Sequence, residues 1–309
     1  MIPNGRVGDW RLGDDDFLAT CRLPSSADKR ETLQKKNPVV REDRMTFDEA
    51  SHTYTFDGRV VPRSVTTIVH QFSDEFDPES AITAMRASDN WEWKQFKFLK
   101  EDDSVMDDTE ITALWRKNGQ VARSRGTLMH WQIEMFLNGA EIEQPQSPEF
   151  MQFMLLYETM QLRPYRTELS IYHSGLDVAG QIDALCVGAY GLEIWDWKRS
   201  KEIQMDAFRQ MKFPLHHLPD SNYYHYGLQL NLYRYILESE YDMPISRMCL
   251  GVFHPLCSHP ICVEIPRMTE IDLILEFENI CDFRIAALAQ VASRRCRSNS
   301  MTDSRRTLP

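Results

Sequence analysis

The stretch Gly180-Gln-Ile-Asp183-Ala-Leu-Cys-Val187, Gly188-Ala-Tyr-Gly191, Leu192-Glu-Ile-Trp-Asp196-Trp-Lys198 decides the fold. Two β-prone runs flank a four-residue turn bounded by glycines, the pattern of a hairpin. If Val187 pairs with Leu192 across the turn, an antiparallel register sets Asp183 opposite Asp196. Strand alternation then puts Lys198 on the face of Asp196. The other face carries Ile182, Ala184, Cys186, Trp195 and Trp197, with Glu193 its one charged member. Near the turn the first face is apolar too, through Val187, Leu192, Ile194 and Leu185. The hairpin therefore reads as buried on both sides, with a charged cluster at its far end. Opposed side chains have Cβ atoms about 5 Å apart, where two negative charges repel by roughly 3 kcal/mol at an effective dielectric of 20. A divalent cation between them would reverse the sign, and oxygen donors suit Mg²⁺ or Mn²⁺. The competing arrangement pairs one aspartate with Lys198 and leaves the other facing solvent.

Around this hairpin, strand and helix signals alternate. His52–Phe56 and Arg59–Val61 flank Asp57-Gly58, a second tight hairpin. Ser64 then reads as the hydroxyl cap of a short helix over 64–70. Helices are expected over 79–100, over 111–138 with a break near Gly119 or Gly126, and over 149–162. Further helices are expected over 202–212, 221–240 and 269–293, with strands over 168–198, 247–254 and 261–265. The reading is one mixed α/β domain over 43–290, a disordered lead-in over 1–42 and a basic disordered tail over 291–309.

The chain has 309 residues, 42% hydrophobic and 26% charged, the composition of a globular protein rather than a disordered, collagenous or disulfide-framework one. No apolar run is long enough to span a membrane. The first twenty residues lack a basic start and an apolar core, so no secretory signal is expected. Seven scattered cysteines suit reduced thiols inside a cell, in a compartment the sequence leaves open. The net charge of -11 argues against coating nucleic acid by charge alone. Charge is unevenly spread, however. Glu101–Glu110 holds six acids, whereas Lys198, Arg199, Lys201, Arg209 and Lys212 make the stretch after the hairpin basic. The acidic run reads as a solvated face.

Other residues join the hairpin aspartates in an ordered series: Gly126-x-x-x-His130, Glu168, Gly180-x-x-Asp183, Asp196-x-Lys198 and Gln229-x-x-x-Tyr233. Singly each is weak. His130 and Glu134 share a helix face, as do Gln229 and Tyr233. As a series, in this order and context, they resemble the RecB-like branch of the PD-(D/E)XK nuclease superfamily, over about residues 120–265. The early hairpin with Ser64-Val-Thr-Thr67 is similar to the amino-terminal part of phage- and virus-type members. The resemblance implies a restriction-endonuclease-like α/β core, a mixed central sheet flanked by helices. It implies a Mg²⁺- or Mn²⁺-dependent deoxyribonuclease, with exonuclease action favoured because the family mostly works on DNA ends in recombination, repair or replication. Asp183 and Asp196 would bind the metal, His130 would be the extra ligand of this branch, and the Trp197 carbonyl would complete the shell. Lys198 would position or activate the attacking water, exchanging a proton if burial lowers its pKa. Glu168 would help organise the site, and Gln229 and Tyr233 would contact DNA and support the site. Arg199 and Lys201 are candidate contacts to the DNA backbone. The alternative is a nuclease fold that no longer cleaves and serves as a DNA-binding or scaffolding module.

Two further metal patterns are weaker. An iron–sulfur cluster would need four cysteines, but Cys249, Cys257, Cys262 and Cys281 are not compactly spaced and Cys21 lies in the lead-in, so none is expected. His254-x-x-Cys257-x-His259-x-x-Cys262 has a zinc-like look, interrupted by Pro255 and Pro260.

Overall fold

The computed structural model describes residues 31–49, 51–142 and 146–278. The tail, most of the last expected helix, Cys21 and Cys281 lie outside the described residues, as do residues 1–30 of the lead-in. Residues 31–42 carry helix α1, Thr32–Lys36, whose Leu33 is buried. Strands β1 (Met45–Asp48), β2 (Thr53–Phe56) and β3 (Arg59–Val60) form a small antiparallel sheet. The expected Asp57-Gly58 turn is present, with φ of 51° and 75°, the left-handed values such a turn requires. After β4 (Arg63–Ser64) comes α2 (Val65–His70), capped by Ser64 Oγ accepting the Thr67 N–H at 3.1 Å.

The helix expected over 79–100 is divided into α3 (Pro78–Arg86), α4 (Trp91–Lys94) and a 3-10 turn at Gln95–Phe98. Helix α5 runs unbroken from Asp108 to Leu137, through both glycines. An isolated helical glycine costs only about 1 kcal/mol, and a capping box of Asp107 with Glu110 sets the start. Helix α6 (Pro148–Met160) has Pro in its first turn, and Ser147 Oγ accepts the Phe150 N–H at 3.1 Å.

Strands β5 (Pro164–His173), β6 (Val178–Val187) and β7 (Leu192–Arg199) follow, then α7 (Asn222–Glu240), β8 (Ile245–Phe253) and β9 (Ile261–Glu264). The larger sheet runs β4-β6-β7-β8-β9, with β5 also on β6. Pairs β4–β6 and β7–β8 are parallel, and β5–β6, β6–β7 and β8–β9 antiparallel. This is the expected α/β fold, a mixed central sheet flanked by helices. Helices α2 and α7 contribute Val65, Ile68, Leu228 and Ile236 to a core that includes Leu185 and Ile194. Helices α5 and α6 contribute Met129, Ile133, Phe150 and Phe153 to a second core with Ala184, Cys186, Trp195 and Trp197. Both tryptophans are fully buried, each worth on the order of 3 kcal/mol of apolar transfer. Ile182 departs from the two-face reading and packs in the first core, just beyond the end of the β6–β7 ladder.

The helix expected over 202–212 does not form, and residues 200–221 follow an irregular course into α7. The Gln204 N–H goes to Asn222 Oδ1 at 2.8 Å and the Asp220 N–H to the Arg209 carbonyl at 2.8 Å, so tertiary partners take hydrogen bonds a helix would have used. Among the described residues no helix is long and apolar enough to cross a membrane.

Candidate metal centre

The hairpin register is the expected one, Val187↔Leu192 through Ala184↔Trp195, and there the ladder ends. Further along β6, Val178 and Ala179 pair in parallel with β4. Between these two ladders β6 and β7 part, and Asp183 sits in the opening. Its Oδ2 accepts the Trp197 N–H at 2.7 Å, a side-chain bond where the next backbone rung would fall. Asp183 turns toward His130, whose Nδ1 lies 3.6 Å from Oδ2. Asp196 pairs with Lys198, Oδ2 to Nζ 2.6 Å.

Glu168 arrives from the other side of β6, opposite Asp183, since Thr167↔Ala184 and Leu169↔Ile182 bracket it in register. Its φ of 46° is left-handed, a conformation that costs a non-glycine residue of order 1 kcal/mol or more and persists only where the surroundings enforce it. His130, Glu168 and Asp183 each offer one ligand atom, all within 4.8 Å of one another. They come from α5, β5 and β6, so tertiary structure alone brings them together. Among the described residues no other group of three or more such side chains gathers, so Cys257, Cys262 and their histidines do not assemble.

The donor set suits a hard divalent cation: two carboxylates and an imidazole, half-buried, with Asp196 adjoining. Asp196 Oδ2 is buried and faces the Lys198 ammonium. Burial pushes the Asp196 carboxyl above the usual carboxylate range against the pull of Lys198, and Asp183 adds to the rise. Burial alone would lower the Lys198 pKa, but Asp196 and Asp183 outweigh it and the pKa is raised. The two carboxylates thus favour the protonated form of Lys198.

Lys198 Nζ donates to Gln229 Oε1 at 3.2 Å, and Gln229 Nε2 donates to the Tyr233 hydroxyl at 2.9 Å, so α7 holds the ammonium through this pair. Tyr233 is buried against β6, where Gly180 leaves the room: a Cβ there would lie 2.6 Å from Tyr233 Cε1. Tyr233 is buried, with its hydroxyl accepting from Gln229. Arg199 is committed to Glu149 on α6, Nε to Oε1 2.6 Å, with both side chains largely buried. Lys201 is exposed. The Trp197 ring packs on Phe153 in the second core, centroids 5.3 Å apart.

Two tyrosines escaped the sequence reading. The Tyr226 ring lies 5.0 Å from Lys198 Nζ, a cation–π contact. Position 226 stands three residues before Gln229 on α7, so helical spacing was the available signal. Tyr54, on β2, has its pKa raised first by burial and then by the Glu168 and Asp183 carboxylates. No local signal links residue 54 to residue 183.

No family model matches the chain, and no curated protein matches it. Among solved structures, SSO0001 is similar at 14% identity and TM-score 0.27, over 82% of this chain and 84% of that one. A protein from Eubacterium rectale named "Putative exonuclease" is similar at 8% identity and TM-score 0.26, over 70% of this chain and 69% of that one. Likeness this slight carries no argument about activity.

Proposed function

We propose that this protein is a metal-dependent deoxyribonuclease that hydrolyses phosphodiester bonds, acting on DNA ends. The convergence of His130, Glu168 and Asp183 on one point, beside the buried Asp196–Lys198 pair, carries the reading. A bound Mg²⁺ or Mn²⁺ would acidify a water and neutralise charge developing on the phosphate. The chain's own groups supply the rest. Asp183, fixed by the Trp197 N–H, presents its carboxylate in a set direction, and Glu168 meets it from β5. Asp196 holds Lys198 protonated, and Lys198 offers positive charge to a phosphate oxygen and orients the attacking water. Gln229 restricts where that ammonium can point.

Linear and circular DNA labelled at the 5′ or 3′ end, incubated with Mg²⁺, Mn²⁺ or EDTA, test the assignment. Cleavage with metal only, on linear substrate, and its loss in Lys198→Ala with DNA binding kept, are the expected results. Absence of cleavage with either metal would leave a DNA-binding module.

A further inference from the structure

Glu168 lies inside β5, yet its φ is 46°. Every other non-glycine residue with left-handed φ among the described residues, Asp57 and Gln161 included, lies outside the helices and strands. Asparagine and aspartate visit this region because their short side chains can hydrogen-bond locally. Glutamate lacks that reward, so its support must come from elsewhere in the fold. The irregularity is confined to one residue, since Thr167 pairs with Ala184 and Leu169 with Ile182 on either side of it.

Two amide side chains bracket the position. Asn138, at the end of α5, donates through Nδ2 to Thr167 Oγ1 at 2.8 Å and to the Glu134 carbonyl at 2.9 Å, while its Oδ1 accepts the Leu33 N–H at 3.0 Å. Asn138 and Thr167 are both buried. This fastens the helix of His130 to the strand of Glu168. The second amide is Gln181, half-buried on β6 two residues before Asp183. Its Nε2 donates to the Glu168 carbonyl at 3.3 Å. Gln181 stands opposite Ser170, so it reaches Glu168 along the diagonal of the ladder. Diagonal neighbours lie about 7–8 Å apart, within the span of a long side chain. A strained residue persists only where its surroundings enforce it, and one hydrogen bond offsets a cost of the same order.

We propose that Gln181 is a positioning residue for the metal centre: by holding the Glu168 carbonyl it keeps Glu168 left-handed, and so keeps the carboxylate where His130 and Asp183 converge. The value of φ sets the direction in which a side chain leaves the backbone. Relaxation of Glu168 to ordinary extended backbone therefore re-aims its carboxylate and weakens the donor set. The role deepens the proposed function and rests on it for the metal, whereas the grip of Gln181 on Glu168 is a property of the chain alone.

Titration calorimetry with Mn²⁺ on the full-length wild type, Gln181→Met and Ser170→Ala tests the first part. Methionine matches glutamine in length and cannot donate. Gln181→Met should bind Mn²⁺ about tenfold more weakly, as expected for loss of a partner that orients a metal ligand, with Ser170→Ala within twofold of wild type. Well below the melting temperature, a glutamine that served only stability would leave Mn²⁺ affinity unchanged. Thermal melts in EDTA test the second part. Gln181→Met should lower Tm by about 2–4 °C, and by less than half as much in a Glu168→Gly background, because glycine takes the left-handed region freely. Wild-type Mn²⁺ affinity in Gln181→Met, or equal Tm losses in both backgrounds, would overturn the positioning role; Mn²⁺ binding by the wild type would then leave the metal reading standing. A wild type that takes up no Mn²⁺ would remove the metal reading, and the melts would decide the grip of Gln181 on Glu168: a background-dependent loss upholds it and an equal loss overturns it.

Discussion

Gly180→Ala is a one-methyl change whose sign separates this packing from ordinary strand behaviour. Replacing a strand glycine whose backbone an alanine can share stabilises by about 0.4–1 kcal/mol, because the unfolded chain loses freedom. Here the new Cβ would lie 2.6 Å from Tyr233 Cε1 and 3.1 Å from Val65 Cγ2, where carbon pairs rest at about 3.5–4.0 Å. Neither neighbour can yield easily. Val65 is fully buried, and Tyr233 is buried and hydrogen-bonded to Gln229. Overpacking of this kind costs about 1–3 kcal/mol, which exceeds the entropic gain, so net destabilisation is expected. The displaced ring also moves Gln229 and with it Lys198, so metal-dependent cleavage should fall more than DNA affinity. Urea unfolding of wild type, Gly180→Ala, Tyr233→Leu and the double variant provides the assay. In the Tyr233→Leu background the alanine should cost at least about 0.5 kcal/mol less than in wild type, which is the coupling expected of residues in contact. A Gly180→Ala variant as stable as wild type or more so, with additive effects, would refute the close approach of β6 to α7.

Arg199→Ala would leave Glu149 as an unpaired charge with 1% exposure, at a cost of about 3–5 kcal/mol in urea unfolding. Arg199→Met with Glu149→Leu should recover most of that, and an unchanged midpoint in Arg199→Ala would show that the pair is not structural. Tyr226→Phe should keep cleavage near wild type, since the ring faces Lys198, whereas Tyr226→Leu should lower kcat about 5–30-fold; equal rates in all three would remove the contact from the account. His254 is neutral in the fold: its pKa is pushed down to about 4, first by burial and then by Arg199 and Lys201, and its Nδ1 accepts the Leu256 N–H at 3.1 Å. Unfolded histidine titrates near 6.5, so between about pH 6.5 and 4 the unfolded chain takes up a proton that the fold refuses. Stability from this group is complete above about pH 6.5 and is lost as pH falls through that window. Thermal melts across it should fall less steeply for His254→Asn than for wild type, and parallel curves would count against the neutral assignment.

Local chemistry explains what was legible in the sequence. The Val187↔Leu192 register followed from a glycine-bounded turn and period-2 alternation, both contained within one short stretch of chain. The Ser64 cap and the Asp57-Gly58 turn were readable for the same reason. The separate partners of Asp183 and Asp196 were not. They depend on β4 pairing with the start of β6 and on Asp183 bonding the Trp197 N–H in the gap beyond that pairing. Both are consequences of tertiary structure. The sequence put Lys198 beside Asp196, but the direction of its pKa shift emerged only from weighing burial against two carboxylates. Glu168 and His130 entered through a resemblance in motif order, and the fold shows how they meet Asp183. The helix expected over 202–212 is missing for a similar cause: the segment's hydrogen bonds go to the start of α7 rather than along its own backbone.

The most direct measurement is titration calorimetry of the wild-type chain with Mn²⁺, repeated on Asp183→Asn and His130→Ala. The account expects Mn²⁺ to bind wild type and its heat to be largely abolished in both variants while their folds melt as wild type does. Wild-type binding heat in both variants, or none in the wild type, would contradict a cation held between α5 and the parted strands.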